Sequence, residues 1–183
     1  MQDLNLSERK LFSESIFSGN LLRVYKDSVE LPDGNTAYRE YIRHVGAVCV
    51  VPLTDTNHVV VERQFRYPIG KVTLEIPAGK LNSPDEDPEK AIRRELKEET
   101  GAEAEEWIDL GEFYPAAAYS DEKIRMYLAR HLHFGENHLD DDEFLTVELI
   151  PLDELVREIL SGNVPDAKTQ AAVLRAYLMV KEG

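Results

Sequence analysis

Glu95, Glu98 and Glu99 stand at i, i+3 and i+4 of a segment with the start and stop signals of a helix. Asp87 caps the first turn, Pro88 suits the first helical position and Gly101 supplies a left-handed residue past the end. The spacing therefore predicts a helix from Pro88 to Thr100. Three carboxylates then share one side of it, where like charges four apart cost roughly 0.2–0.5 kcal/mol. Arg94, four residues before Glu98, is the one cation at helical spacing to any of them. Compensation is expected from outside the helix, and a hard divalent cation would supply it. Magnesium takes oxygen ligands in octahedral geometry and keeps waters that substrate phosphates displace. A solvated acidic face is the competing account of the same residues.

The stretch before the helix favours the cation. Residues 72–76 alternate Val72, Leu74 and Ile76 with Thr73 and Glu75, as a strand does, and lead into Pro77-Ala78-Gly79. A glycine there lets backbone approach a ligand closely, and neighbouring carbonyls can act as ligands. Pro77-Ala78-Gly79 together with Arg94-Glu95-Leu96-Lys97-Glu98-Glu99-Thr100-Gly101-Ala102 resembles the Nudix box, the signature of hydrolases that cleave nucleoside diphosphates linked to another moiety. The family pattern places five residues between its glycine and its first glutamate, and then seven before the arginine. Here seven residues separate Glu86 from Arg94, but six separate Gly79 from Glu86. The extra residue falls in 80–85, a run rich in turn formers where insertion costs little closure entropy.

The resemblance implies a set of roles. Glu95, Glu98, Glu99 and the carbonyl of Ala78 would hold Mg2+, or Mn2+ in its place, with Glu98 also counted among the catalytic groups. Arg94 and Glu86 would orient these carboxylates. Arg43, Arg66, Glu75, Gly79 and Leu81 become candidates for substrate contact. In the ADP-ribose pyrophosphatase branch, a loop after the box carries Ser-Pro-Gly followed by an aromatic and an acidic residue. Here Ala116-Ala117-Ala118 replaces Ser-Pro-Gly, whereas Tyr119 and Glu122 fit. In that branch an acidic loop further on supplies a metal ligand and the base that activates water. Asp140-Asp141-Asp142-Glu143 stands at that point, with Glu143 the first candidate for the base and Asp141 the second; a solvated acidic run is the alternative.

The elements that must position these groups are legible in outline. Residues 21–45 read as a hairpin around the turn Leu31-Pro32-Asp33-Gly34-Asn35, and an isolated hairpin needs a surface to lie on. A second hairpin pairs 47–53 with 59–65, its first strand apolar without alternation, as in a strand covered on both faces. Arg63 and Arg66 end its second strand. Alternation sends them to opposite faces, with Arg66 the one favoured to grip a phosphate or carboxylate bidentately and Arg63 equally well a surface residue. Strands are expected at 107–114, 123–132 and 144–150, then a helix at 151–160 and a last helix, capped by Asp166, reaching about Val180. Ala167, Ala171, Leu174 and Leu178 form its apolar stripe, and both helices read as packing elements.

The expected fold class is α/β: a Nudix fold, a mixed β-sheet sandwiched between helices, over 46–183, preceded by an N-terminal antiparallel β-hairpin subdomain over 1–45. In relatives those N-terminal strands are exchanged between two subunits and help build the nucleoside site, so a two-fold homodimer follows from the resemblance.

Composition bounds the rest. A formal net charge of −14 argues against nucleic-acid or anionic-membrane partners and against RNA decapping. Between Asp85 and Glu112 twelve acidic residues face four basic ones, so a polyphosphate substrate needs cations to mask the repulsion. The single cysteine, Cys49, precludes an internal disulfide, and no signal peptide or apolar span is recognisable, so a cytoplasmic location is expected. Hydrolysis of ADP-ribose leads the functional expectations, a nucleoside diphosphate sugar such as GDP-mannose is the alternative substrate, and a ligand sensor without turnover is the non-enzymatic alternative.

Overall fold

The computed structural model describes residues 6–139 and 144–182. An N-terminal antiparallel sheet comprises β1 (Arg9–Ser18), β2 (Arg23–Glu30) and β3 (Thr36–Arg43) in that order. The β2–β3 turn is the one expected: Gly34 takes a left-handed φ of 84°, and Asn35 N–H donates to Asp33 Oδ1 at 3.0 Å. The sequence had indicated a two-stranded hairpin, and β1 adds a third strand along its edge.

The main sheet contains β4 (Ala47–Leu53), β5 (His58–Arg66), β6 (Lys71–Glu75), β7 (Ala78–Lys80), β8 (Ala102–Phe113), β9 (Ile124–Phe134) and β10 (Leu145–Pro151). Its order is β10-β5-β4-β9-β8, with β6 pairing β5 and β7 pairing β4. β4 runs parallel to β9 and antiparallel to β7, so the sheet is mixed. α1 (Pro88–Thr100) covers one face; α2 (Leu152–Leu160) and α3 (Ala167–Glu182) cover the other.

β4 explains why this sandwich forms. Val48 and Val50 join Ile92 and Leu96 of α1 in one core. Cys49, Val51 and Leu53 point the other way into a second core with Leu155, Val156, Ala172 and Val173. A strand buried on both faces has no polar alternation to show, which is the pattern its sequence carries. Burial also pushes the Cys49 thiol up to about 12.

α3 corrects the sequence expectation. Its buried stripe is Lys168, Thr169, Ala172, Val173 and Ala176, while Leu178 is exposed. Ala171 and Leu174 of the expected stripe do pack against the core, but Ala167 and Leu178 are exposed, and the head of the stripe is polar: Lys168 reaches Glu75, and Thr169 Oγ1 accepts from Ile76 N–H at 3.0 Å.

The N-terminal sheet is tied to the rest through the end of β3. Ile42 N–H donates to Tyr119 O at 2.9 Å, Asp121 N–H to Ile42 O at 3.2 Å, and His44 N–H to Asp121 Oδ1 at 2.7 Å.

Candidate active site

α1 starts and stops where its sequence says. Asp87 accepts from Glu89 N–H at 3.0 Å, and Gly101, at φ 70°, donates to Lys97 O. Ala91, Ile92 and Leu96 anchor the helix in the core, which leaves the side bearing the glutamates to meet β7. Ala78 N–H donates to Glu99 Oε2 at 3.2 Å, and Glu99 is buried. One turn earlier, Glu95 packs against Gly79 so tightly that a Cβ there would lie 2.1 Å from its Cδ.

Arg94 organises the other carboxylates. Its guanidinium donates to Glu98 at 3.0 Å, forms an ion pair with Glu95 at 2.8 Å and lies 3.9 Å from Glu86. Burial works against its charge, but Glu95 and Glu98 outweigh it and raise its pKa. Glu86 also accepts from the backbone and side chain of Asn82, so the extra residue is absorbed in a loop that still returns Glu86 to Arg94.

Four carboxylates thus gather around one guanidinium and the amide of Ala78, an all-oxygen donor set suited to a hard cation. The close contact at Gly79 also fits a site where backbone must come near the ligand. Among the described residues no three side chains converge as a closed metal cage, because Glu95 and Glu98 turn toward Arg94. Magnesium bound with water and substrate phosphates needs few protein ligands, so the donors present fit it.

Beside this acidic wall lies a cavity of about 550 Å³ lined by Ala78, Gly79, Arg66, Glu75, Glu122 and Lys168, among others. Arg66 grips Glu75 with both arms, Nε to Oε1 at 2.8 Å and Nη2 to Oε2 at 2.6 Å. Thr73 Oγ1 adds a 2.5 Å bond to Oε1, and Lys168 Nζ donates to Oε2. Burial pushes the Glu75 carboxyl up, but its bonds with Arg66, the Lys168 charge and Thr73 together hold it down at about 2. Arg63, on the opposite face, makes a surface ion pair with Glu148 at 2.7 Å.

Arg43 and Leu81 line a second cavity of about 330 Å³ together with Arg23, Tyr25 and Lys80. Arg43 stacks over Tyr25 at 4.5 Å, and Tyr25 stacks on Tyr41. Glu122 is 3.8 Å from His44, which borders both cavities. Tyr119 stands apart: its backbone holds β3, whereas its ring is exposed on the surface beside Arg39 and Ala118. Asp141 and Glu143 lie outside the described residues. The chain just before them docks on the end of α1, with His138 N–H donating to Glu98 O at 2.9 Å and Gly135 N–H to Gly101 O at 2.7 Å.

Sequence reasoning missed Lys168. Its signal is the 168/172/176 and 169/173 spacing of α3, which places a lysine at the head of a small-residue stripe.

A model of the NUDIX domain matches residues 43–173. The chain is 39% identical over 180 residues to the ADP-ribose pyrophosphatase of Bacillus subtilis (strain 168), covering 97% of this chain and 96% of that one. It is 42% identical over 177 residues to the methanol dehydrogenase activator of Bacillus methanolicus, covering 96% and 94%. A crystal structure of an ADP compounds hydrolase shares the fold, with a TM-score of 0.85 and 24% identity over 96% of this chain and 95% of that one.

Proposed function

The chain belongs to the Nudix family and is an enzyme acting on pyrophosphate bonds, and from that premise we propose that it hydrolyses the diphosphate bridge of ADP-ribose or a related sugar nucleotide. The products are a nucleoside monophosphate and a sugar phosphate. One observation carries this reading: the acidic wall of Ala78, Gly79, Glu95 and Glu99 adjoins a cavity that also presents Arg66. A diphosphate needs cations on both flanks, and the similarity to an ADP-ribose pyrophosphatase supports the nucleotide.

Glu95, Glu98, Glu99 and the Ala78 carbonyl would hold Mg2+, or Mn2+. When bound, such an ion neutralises phosphoryl oxygens and lowers the pKa of water. Arg94 and Glu86 keep the helix carboxylates oriented. Arg66, with Nε and Nη2 committed to Glu75, has Nη1 left for a phosphoryl oxygen. Glu122 and Gly79 border the same cavity, and Arg43 and Leu81 offer a neighbouring compartment for the nucleoside. Tyr119 would reach substrate only by turning its exposed ring. Glu143, with Asp141 as second candidate, takes the proton of the attacking water.

Residues 1–45 form the N-terminal unit and 46–183 the catalytic domain, and two chains pair through the N-terminal strands. Within the described residues no helix is long and apolar enough to cross a membrane, and the buried, unpaired Cys49 agrees with a reducing cytoplasm.

The test is hydrolysis of ADP-ribose and GDP-mannose side by side, with magnesium and with chelator, for wild type and Glu99→Gln. Metal-dependent cleavage that collapses in the variant supports the reading, and the ratio of rates selects the substrate. Binding without cleavage would favour the sensor.

A further inference from the structure

Lys168 is nine-tenths buried at the foot of α3, 93 positions along the chain from the carboxylate it binds. Besides Glu75 Oε2, its ammonium donates to Asp166 Oδ2 at 3.1 Å. Asp166 is itself fixed, accepting from Thr169 N–H at 2.9 Å and Thr169 Oγ1 at 2.6 Å. The same Thr169 Oγ1 accepts from Ile76 N–H, the residue after Glu75. Across the β5–β6 ladder Glu75 faces Glu62, equally buried. The Arg66 fork together with the Lys168 ammonium is what lets Glu75 stay ionised in so buried a place. A buried ion pair gains little stability over an apolar pair of the same volume, so what this one supplies is orientation.

We propose that Lys168 is a positioning residue for substrate binding. It holds Oε2 of Glu75, which fixes the carboxylate plane on which the Arg66 fork rests, and so aims the outer edge of Arg66 into the cavity. The phosphoryl group at the receiving end rests on the hydrolase reading; the orientation of Arg66 does not.

Two measurements separate these. With ADP-ribose, Lys168→Met raises KM about tenfold or more while kcat changes far less, and Lys168→Arg recovers part of the loss. In an Arg66→Ala background Lys168→Met adds nothing further, because the residue acts through Arg66; additive losses overturn the proposal. Independently of substrate, the Arg66 Nε–Hε resonance in a ¹⁵N spectrum is distinct and slow to exchange in the wild type and is lost in Lys168→Met. An unchanged resonance overturns the proposal even if KM rises. Wild type that cleaves neither ADP-ribose nor GDP-mannose overturns the sugar-nucleotide reading alone. Lys168→Gln, which keeps a hydrogen-bond donor, serves for both measurements if the Met variant does not fold.

Discussion

Gly79 and Glu95 meet in a contact that leaves no room for a side chain on Gly79: a methyl group there would sit 2.1 Å from the Glu95 carboxyl carbon and 2.2 Å from Oε1. Gly79 is needed here for closeness, because its backbone does not take a left-handed turn. The strand β7 and the helix α1 are thereby pressed together at the carboxylates. The 3.2 Å bond from Ala78 N–H to Glu99 makes the same junction one helical turn further on.

Gly79→Ala consequently forces the Glu95 carboxylate aside. The atoms displaced are the far end of a flexible side chain, so stability falls by no more than about 1–3 kcal/mol. The donor set is disturbed directly, and manganese affinity is expected to fall about 10–100-fold. Calorimetric titration with manganese alongside a thermal melt checks this, and full metal affinity in a folded variant would refute it.

The base is assigned by comparing Glu143→Gln with Asp141→Asn. Turnover of ADP-ribose should drop by about 10²-fold or more for Glu143→Gln and much less for Asp141→Asn, with metal affinity retained where only the base is lost. The reverse order would transfer the role to Asp141.

Local signals carried the sequence expectations that held. α1 was legible because Asp87, Pro88 and Gly101 fix its ends and its apolar stripe is regular; β4 because an unbroken apolar run must be covered on both faces; the separation of Arg63 from Arg66 because strand period is two. β1 was not legible. Leu11-Phe12 and Ile16-Phe17 are adjacent rather than alternating, and the ladder with β2 is irregular between Lys10 and Phe12 and between Ser15 and Phe17, so its period breaks twice. The partnership of Glu75 with Lys168 was hidden for another reason: it spans 93 positions, and no local pattern encodes which carboxylate a buried lysine will meet.

Glu75 gives the protein an acid-sensitive component of stability. Its folded pKa, about 2, lies below its ordinary value of 4.5. Its contribution is therefore complete above about pH 4.5 and is lost as pH falls from there toward 2. Glu75→Gln should be less stable than wild type at pH 7, with the difference shrinking between pH 5 and 3. Thermal melts across that range check it; parallel curves for the two proteins would remove the linkage.

The N-terminal sheet presents an edge that solvent alone should not cover. All ten residues of β1 are exposed, Leu11, Phe12, Ile16 and Phe17 by 45–65%, on a strand with one side unpaired in its sheet. Such an edge templates association unless something pairs with it. A second copy of the same strand is the simplest cover, since a two-fold axis presents the patch to itself. Light scattering at micromolar concentration should give twice the mass of one chain. Phe12→Glu combined with Phe17→Glu places charges in that contact without touching the buried cores, and is expected to shift the protein to monomer while its far-ultraviolet spectrum stays unchanged. A monomeric wild type, or a doubly charged variant that remains a dimer, would move the interface off this strand.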